Sequence, residues 1–210
     1  AELAAHREAL AHFRLALRAS GDSAVDTRTR AEILDALATE LGVVDESAEA
    51  ELVRRDALAL WRQLGEPLRE GDSLRMLARA LGRLARGHEA AAAVEEALAL
   101  LEPLGPSPEL AQALGDVAGV LGVMGDNTAS IEAADRAILL AERFDLPAVL
   151  SNALNSKACA MMSLGEDWVP TMRQARDVGL AAGCHQEVGR AYTNWYGGFV
   201  GTSRVAEGEG

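Results

Sequence analysis

Large side chains are scarce in this chain. Aromatic residues make up only 4% of its 210 residues, although 49% of the residues are apolar. Ala and Leu must therefore build any core, and together with Arg and Glu they are among the residues that lose least free energy on entering a helix. The β-branched and aromatic residues that strands favour are few. This composition predicts an all-helical protein and argues against a large sheet.

Positive charge, long apolar runs and cysteine pairs are lacking as well. The chain has 20 basic and 32 acidic residues, and its net charge of -12 repels a phosphate backbone, so we expect no nucleic-acid binding through this segment. No apolar run approaches the ~20 residues of a membrane span, and no signal-peptide pattern occurs, which predicts a cytoplasmic protein with no membrane partner. Cys159 and Cys184 have neither a CxxC nor a His partner spacing, so neither a zinc site nor a disulfide framework is expected. No cofactor is expected.

What the chain does contain is an internal repeat with a period of about 40 residues. Shifting the sequence by this period brings apolar positions into register in several columns: Leu34, Leu74, Leu114, Leu154; Ala38, Ala78, Ala118, Ala158, Gly198; and Leu58, Leu98, Ile138, Val178. The columns fall into two groups along each 40-residue unit, and the columns of each group lie along one stripe of a helix. Each unit is therefore predicted to be a pair of helices. Because one pair cannot bury its narrow stripe alone, the pairs must stack into a solenoid.

Glycine and proline divide the units where the period predicts breaks. About ten helices are predicted, near residues 2–19, 28–42, 47–64, 68–86, 89–104, 108–124, 128–144, 147–164, 168–182 and 185–198. Gly87-His88 is one of the expected turns between paired helices. We expect one helical-repeat domain over 1–200 and a flexible tail over 201–210.

The spacing of the first helices resembles the tetratricopeptide pattern. Leu74, Leu77, Ala78 and Leu81 match Trp-x2-Leu-Gly-x2-Tyr, although the unit has about 40 residues and not about 34, and Leu replaces the large aromatics. This resemblance implies a right-handed superhelical solenoid of antiparallel pairs.

Longer phrases resemble the helical-repeat region of LuxR-family bacterial transcriptional regulators related to the MalT-type, AAA/NTPase-containing ATPases. They are EALAHFRLALRAS, RDALALWRQLGEPLREGDSLRMLARAL, EALALLEPL and ALNSKACAMMSLGED. In that family an ATPase domain precedes the repeats and a helix-turn-helix domain follows them, and the repeats sense an inducer or partner. This chain has neither a phosphate-binding loop motif nor a basic recognition helix. The resemblance implies a sensor and relay segment, without DNA or ATP binding of its own.

Exposed positions of the first helices vary beside uniform packing columns, as a binding groove requires. They predict a groove for a small-molecule or peptide inducer, or for a protein partner, formed by Arg75, Arg79, Gly115, Gly119, Gly122, Asn152, Asn155, Tyr192 and Trp195. The arginines suit an acidic group, and Asn155 with Trp195 suits hydrogen bonding and stacking.

Each groove feature also has a purely structural interpretation. The three glycines cost about 1 kcal/mol each relative to Ala, which either a bare groove floor or close helix packing would offset. Asn152 and Asn155 form either an amide ladder for a peptide backbone or an ordinary exposed helix surface. Trp61 stands in a column of small and apolar residues and is expected in the core.

Neither an acid-base pair nor a nucleophilic set is recognisable, so the chain is not expected to be an enzyme. Two functions remain open: the sensor segment of a LuxR-type regulator, or a free-standing interaction scaffold or self-association module. The second is favoured by apolar columns left without neighbours at both ends of the stack, which would suit a homodimer; truncation of a longer chain would expose the same columns equally well.

Overall fold

A computed structural model describes residues 2–19 and 26–201 of the chain. This part consists of α-helices joined by short turns: α1 (Glu2–Ala19), α2 (Thr27–Val43), α3 (Ser47–Leu64), α4 (Pro67–Arg83), α5 (Gly87–Leu101), α6 (Pro108–Met124), α7 (Asn127–Arg143), α8 (Pro147–Leu164), α9 (Val169–Ala181) and α10 (His185–Gly201). The all-helical prediction is confirmed, and each predicted helix is present. The predicted tail over 201–210 lies outside the described residues, except for Gly201.

A residue with positive φ recurs at nearly every turn, each half a repeat period after the one before. These residues are Asp45, Gly65, Ala85, Gly105, Gly125, Asp145 and Gly165, and Gly183 follows slightly earlier than the half period predicts. At most of them the next backbone N–H reaches back to a carbonyl five residues earlier, as from Asp126 to Leu121 at 3.0 Å. This bond satisfies a carbonyl that the helix end would otherwise leave unpaired. The repeat period is thus two helices, each with an equivalent turn.

The turn expected at Gly87-His88 lies earlier than predicted. Gly87 is the first residue of α5, and the left-handed residue of this turn is Ala85, with φ of 58°. Glycine normally takes this conformation because it has no Cβ. The prediction followed the glycine, whereas the length of the helices places the turn two residues before it.

The chain forms two compact units, Ala1–Pro103 and Leu104–Gly210. The prediction of a single domain over 1–200 stays a prediction. In the first unit, consecutive helices from α1 to α5 pack against each other, and α2 also contacts α4. The repeat column of small residues, which runs from Ala38 to Gly198 and is called the small column below, lies in the core of this unit. Its members Ala38 and Ala78 are at most 4% exposed.

A polar cluster is buried in the first unit around Asp35. Its carboxylate accepts hydrogen bonds from Arg54 and, at 2.7 Å, from the Nε1 of Trp61. Trp61 is fully buried, so its core placement is confirmed. Burial lowers the pKa of Arg54, and the Asp35 charge opposes this shift. Removing one member of such a pair leaves a buried charge unpaired, so the cluster holds α2 and α3 in register.

In the second unit, the first helices α6, α8 and α10 contact each other in turn, and α7 and α9 pack alongside them. Ala118 and Ala158 are fully buried, and a Cβ at Gly198 would lie 2.6–2.8 Å from Met162 and Trp168. Small residues in this column therefore permit the close approach of successive first helices. None of the helices in the described ranges is long and apolar enough to cross a membrane.

Candidate functional site

A cleft opens in the second unit between the first helices α6, α8 and α10. Its volume is about 310 Å³, and the start of α7 closes one side. It is lined by Ala118, Gly119, Gly122, Val123, Asn127, Ser156, Cys159, Ala160, Met162, Ser163, Arg190 and Asn194. Its volume is at the lower end of the range of small-molecule sites.

The charge of the cleft differs from that of the chain as a whole. Its lining holds one cation, Arg190, together with hydroxyl and amide groups, and no acidic residue is among the described residues that form it. The whole chain carries a net charge of -12. A ligand with a negative group therefore meets an attractive charge here, whereas most of the surface repels it.

Arg190 extends from α10 to the polar face of α8. Its guanidinium donates to the Oδ1 of Asn152 and to the Oγ of Ser156, the latter at 3.3 Å. Both of these acceptors are neutral, and the two bonds orient the guanidinium against α8. The planar group has five N–H donors and can engage a carboxylate with two parallel bonds.

A second set of polar groups lies behind the cleft around Asn155. Its Oδ1 accepts a 3.0 Å hydrogen bond from the Nδ2 of Asn194 and a weak one from the thiol of Cys159. Its own Nδ2 is buried and has no hydrogen-bond partner in the described part of the chain. Leaving such a donor unpaired costs about 1–3 kcal/mol.

Cys159 contributes an uncharged thiol to the cleft. Burial raises the pKa of this thiol above its usual value, and the Arg190 guanidinium opposes the shift to a lesser extent. A thiol with a raised pKa is a poor nucleophile at neutral pH. This side chain therefore acts as a small, weakly polar wall.

The structure places the three predicted glycines differently. Gly119 and Gly122 line the cleft, whereas Gly115 lies against Asn152 and Val149 outside it. A Cβ at Gly115 or Gly119 would meet its neighbours at 3.6–3.8 Å, which is ordinary contact. Close helix packing therefore does not require glycine at these two positions, whereas a bare cleft floor is consistent with Gly119.

The predicted aromatic residues lie away from the cleft lining. Trp195 is only 6% exposed and belongs to a core cluster with Trp168 and Phe199. The guanidinium of Arg176 covers its ring at 5.1 Å from the centroid. Tyr192 is exposed on α10.

The predicted arginines both lie on α4, in the first unit. Arg75 is buried, and its Nε donates to Asp72 at 3.0 Å. Arg79 is half-buried. Of the predicted residues, Gly119 and Gly122 thus meet at the cleft, and Asn152 and Asn155 support its lining side chains.

Sequence reasoning missed Arg190 and Asn194 as site residues. Asn194 follows Leu34, Leu74, Leu114 and Leu154 in their column, so an amide interrupts an otherwise uniform row of leucines. That interruption was a usable signal. No sequence signal pointed to Arg190, because its role follows only from its hydrogen bonds to side chains of α8.

Solved structures with the same architecture are found by shape. BtubC (BKLC) from P. vanneervenii matches with a TM-score of 0.67 and 17% identity, over 99% of this chain and 85% of that one. A Rap protein complexed with Competence and Sporulation Factor matches with a TM-score of 0.65 and 18% identity, over 98% and 61%. A signal-transduction ATPase with a tetratricopeptide repeat sensor, from Pyrococcus horikoshii, gives 0.66 and 15%, over 93% and 32%.

The fold is tetratricopeptide-like. This confirms the predicted helical-repeat class, and at these identities the likeness concerns the fold alone. No protein-family model matches the chain, and no curated protein matches it by sequence. Over the described residues, no group of three or more His, Cys, Asp or Glu side chains is placed to hold a metal ion.

Proposed function

We propose that this chain is a binding and relay module whose cleft in the second unit takes a short peptide or small polar molecule with a carboxylate. The observation that carries the proposal is the charge of the cleft: Arg190 and neutral polar groups line it in a chain of net charge -12. The amide of Asn194, which lines the cleft, adds a group that pairs with a peptide backbone, and Asn155 holds this amide from behind. Gly119 leaves backbone accessible to such a ligand.

The cleft is also placed so that binding can be relayed. It is formed by three successive first helices, so a ligand that contacts α6, α8 and α10 favours one arrangement of the three. In repeat proteins each unit contacts only its neighbours, and a change at one interface is passed along the stack. Differential affinity for two arrangements is what a sensor requires.

We further propose that the chain is the sensor segment of a LuxR-type transcriptional regulator. The support is the sequence phrases described above, together with the likeness in fold to an ATPase that has a tetratricopeptide repeat sensor. A gene that encodes a phosphate-binding loop upstream and a helix-turn-helix downstream agrees with this assignment. A gene without both favours a free-standing interaction scaffold.

Peptide binding provides the test of the cleft. Pools of short peptides with free C-terminal carboxylates, and the same pools as C-terminal amides, are mixed with the protein and observed by native mass spectrometry. We expect the free-acid pool to bind and the amidated pool to bind at least about tenfold more weakly, because a charged pair is lost.

Two variants locate the binding. Gly119→Leu fills the cleft and Arg190→Gln removes its cation, so both should abolish the bound mass. Gly82→Leu is the matched control, because Gly82 is an exposed helical glycine in the first unit with no atom near its missing Cβ. Equal binding by wild type and Gly119→Leu, or no binding by any pool, rules out the proposed cleft function.

A further inference from the structure

The cleft of the second unit runs along the helices that form it, so its lining has two ends. A Cβ at Gly115 would lie 3.6 Å from the amide nitrogen of Asn152. One at Gly119 would lie 3.7 Å from the Oγ of Ser156. Both helices advance by four residues between these two contacts, so α6 and α8 run parallel along the cleft.

One end of the cleft is formed by Gly119, Ser156 and Arg190 and is called the polar end. A Cβ at Gly119 would lie 3.6 Å from the Nη2 of Arg190, and the same guanidinium donates to the Oγ of Ser156. The carboxylate of the proposed ligand is therefore taken at this end.

The opposite end, called the apolar end, offers a ligand mainly carbon. It is formed by Gly122, Val123, Ala160, Met162 and Ser163. Val123 is 92% exposed, so its side chain is covered only when a ligand lies against it. The hydroxyl of Ser163 already donates to the Cys159 carbonyl at 3.1 Å. An apolar group on the ligand fits this end better than a polar one, because it leaves no polar group unpaired.

The distance between the two ends follows from the helix rise of about 1.5 Å per residue. Along α6, Val123 lies about 6 Å beyond Gly119. Along α8, Met162 lies about 9 Å beyond Ser156. A ligand that uses both ends thus carries its apolar group about 6–9 Å from its carboxylate.

Two amides favour a peptide over a simple acyl chain as this ligand. Asn127 and Asn194 both line the cleft. An amide side chain donates and accepts hydrogen bonds, which matches the N–H and C=O groups of a peptide backbone. A hydrocarbon chain would cover these amides without pairing them, which costs free energy.

Building on the proposed carboxylate site, we infer that the cleft selects peptides with an apolar side chain two residues before the C-terminal residue. An extended chain advances by about 3.3–3.6 Å per residue, so two residues span about 7 Å and join the two ends. Successive side chains of an extended chain point to opposite sides. The side chain of the penultimate residue therefore points away from the apolar end and is not selected.

Two acetylated tetrapeptides with free C-terminal carboxylates test this selection. Ser-Leu-Ser-Ser and Ser-Ser-Leu-Ser have the same composition and charge, and only the position of the leucine differs. Each is titrated into the full chain by isothermal titration calorimetry. We expect Ser-Leu-Ser-Ser to bind at least about fivefold more tightly, because only its leucine is buried at the apolar end.

A pair of variants assigns the preference to the apolar end. Val123→Ser removes most of the exposed carbon there, so the two peptides should bind with affinities within about twofold of each other. Leu139→Ser is the matched control, since Leu139 is 67% exposed on α7 and does not line the cleft, and it should keep the preference. Far-ultraviolet circular dichroism verifies that both variants retain their helices.

The outcomes separate this inference from the function on which it rests. Equal binding of the two peptides by the wild type overturns the inference and leaves the carboxylate site in place. A preference that survives Val123→Ser overturns the assignment to the apolar end. If neither tetrapeptide binds although the free-acid pool does, the inference alone fails; if the pool does not bind either, the proposed function fails with it.

Discussion

Two adjacent glycines of α10 provide a direct test of the packing that positions the cleft. Gly198 lies at the end of the small column, and its missing Cβ would lie 2.6 Å from the Sδ of Met162 and 2.7 Å from the ring of Trp168. At Gly197 a Cβ would meet no atom within 4 Å. The same substitution by Ala should therefore have opposite effects at neighbouring positions.

The expected magnitudes follow from these distances. At Gly198 the methyl group must displace Trp168, which is 3% exposed and packs against Phe199 with the ring centroids 5.2 Å apart. Overpacking of this kind costs about 1–3 kcal/mol, and the gain in helix propensity offsets up to about 1 kcal/mol of it. We expect Gly198→Ala to lower the free energy of unfolding by about 1–2 kcal/mol. Gly197→Ala should raise it by about 0.5 kcal/mol, less than the full gain in helix propensity because the helix ends nearby.

Urea unfolding measures both changes. Fluorescence reports the transition because Trp168 and Trp195 belong to the same core cluster. Measurements at about 2 µM protein keep self-association negligible. If Gly198→Ala is as stable as Gly197→Ala, the close approach of α10 to Trp168 is wrong, and with it the wall of the cleft that α10 forms.

Three further outcomes are expected. Ala85→Gly should stabilise the chain by about 0.5–1 kcal/mol in thermal melts, because Ala85 has positive φ; a loss of stability would contradict the turn geometry. Arg54→Ala should destabilise it by about 3 kcal/mol in urea, because Asp35 loses its buried partner; a change below about 1 kcal/mol would contradict that pairing. The pKa values of Cys159 and Cys184 are both raised, so alkylation by iodoacetamide should still accelerate above pH 9, with Cys159 slower in mass spectra; a plateau at neutral pH would contradict this.

The helices and their packing columns were predictable because periodicity is a local property of the sequence. Buried Leu74, Ala78 and Leu114 all lie where the repeat register placed them. The position of Ala85 was not predictable from residue type, since the turn is determined by helix length and overrides the preference for glycine. Local sequence signals were therefore sufficient to predict the helices. They did not predict the turn at Ala85, because the length of the helices determines its position.

The candidate site was predictable only in part, because side-chain reach is not a local property. Gly119 was identified from its cost in a helix, and it lines the cleft. Arg190 bonds to Asn152, 38 residues away, and no pattern within α10 indicates this contact. Arg75 was read as exposed, but the neighbouring Asp72 and the packing of α4 bury it.

The regular spacing of the turns, two to each repeat period, limits how this chain can change in length. A helix advances by about 100° for each residue, so one residue inserted within α6 would rotate every later side chain of that helix by that angle. Ala118 would leave the core, and Gly119 would no longer face Arg190. Insertions that preserve the fold must therefore fall within turns or comprise whole helix pairs.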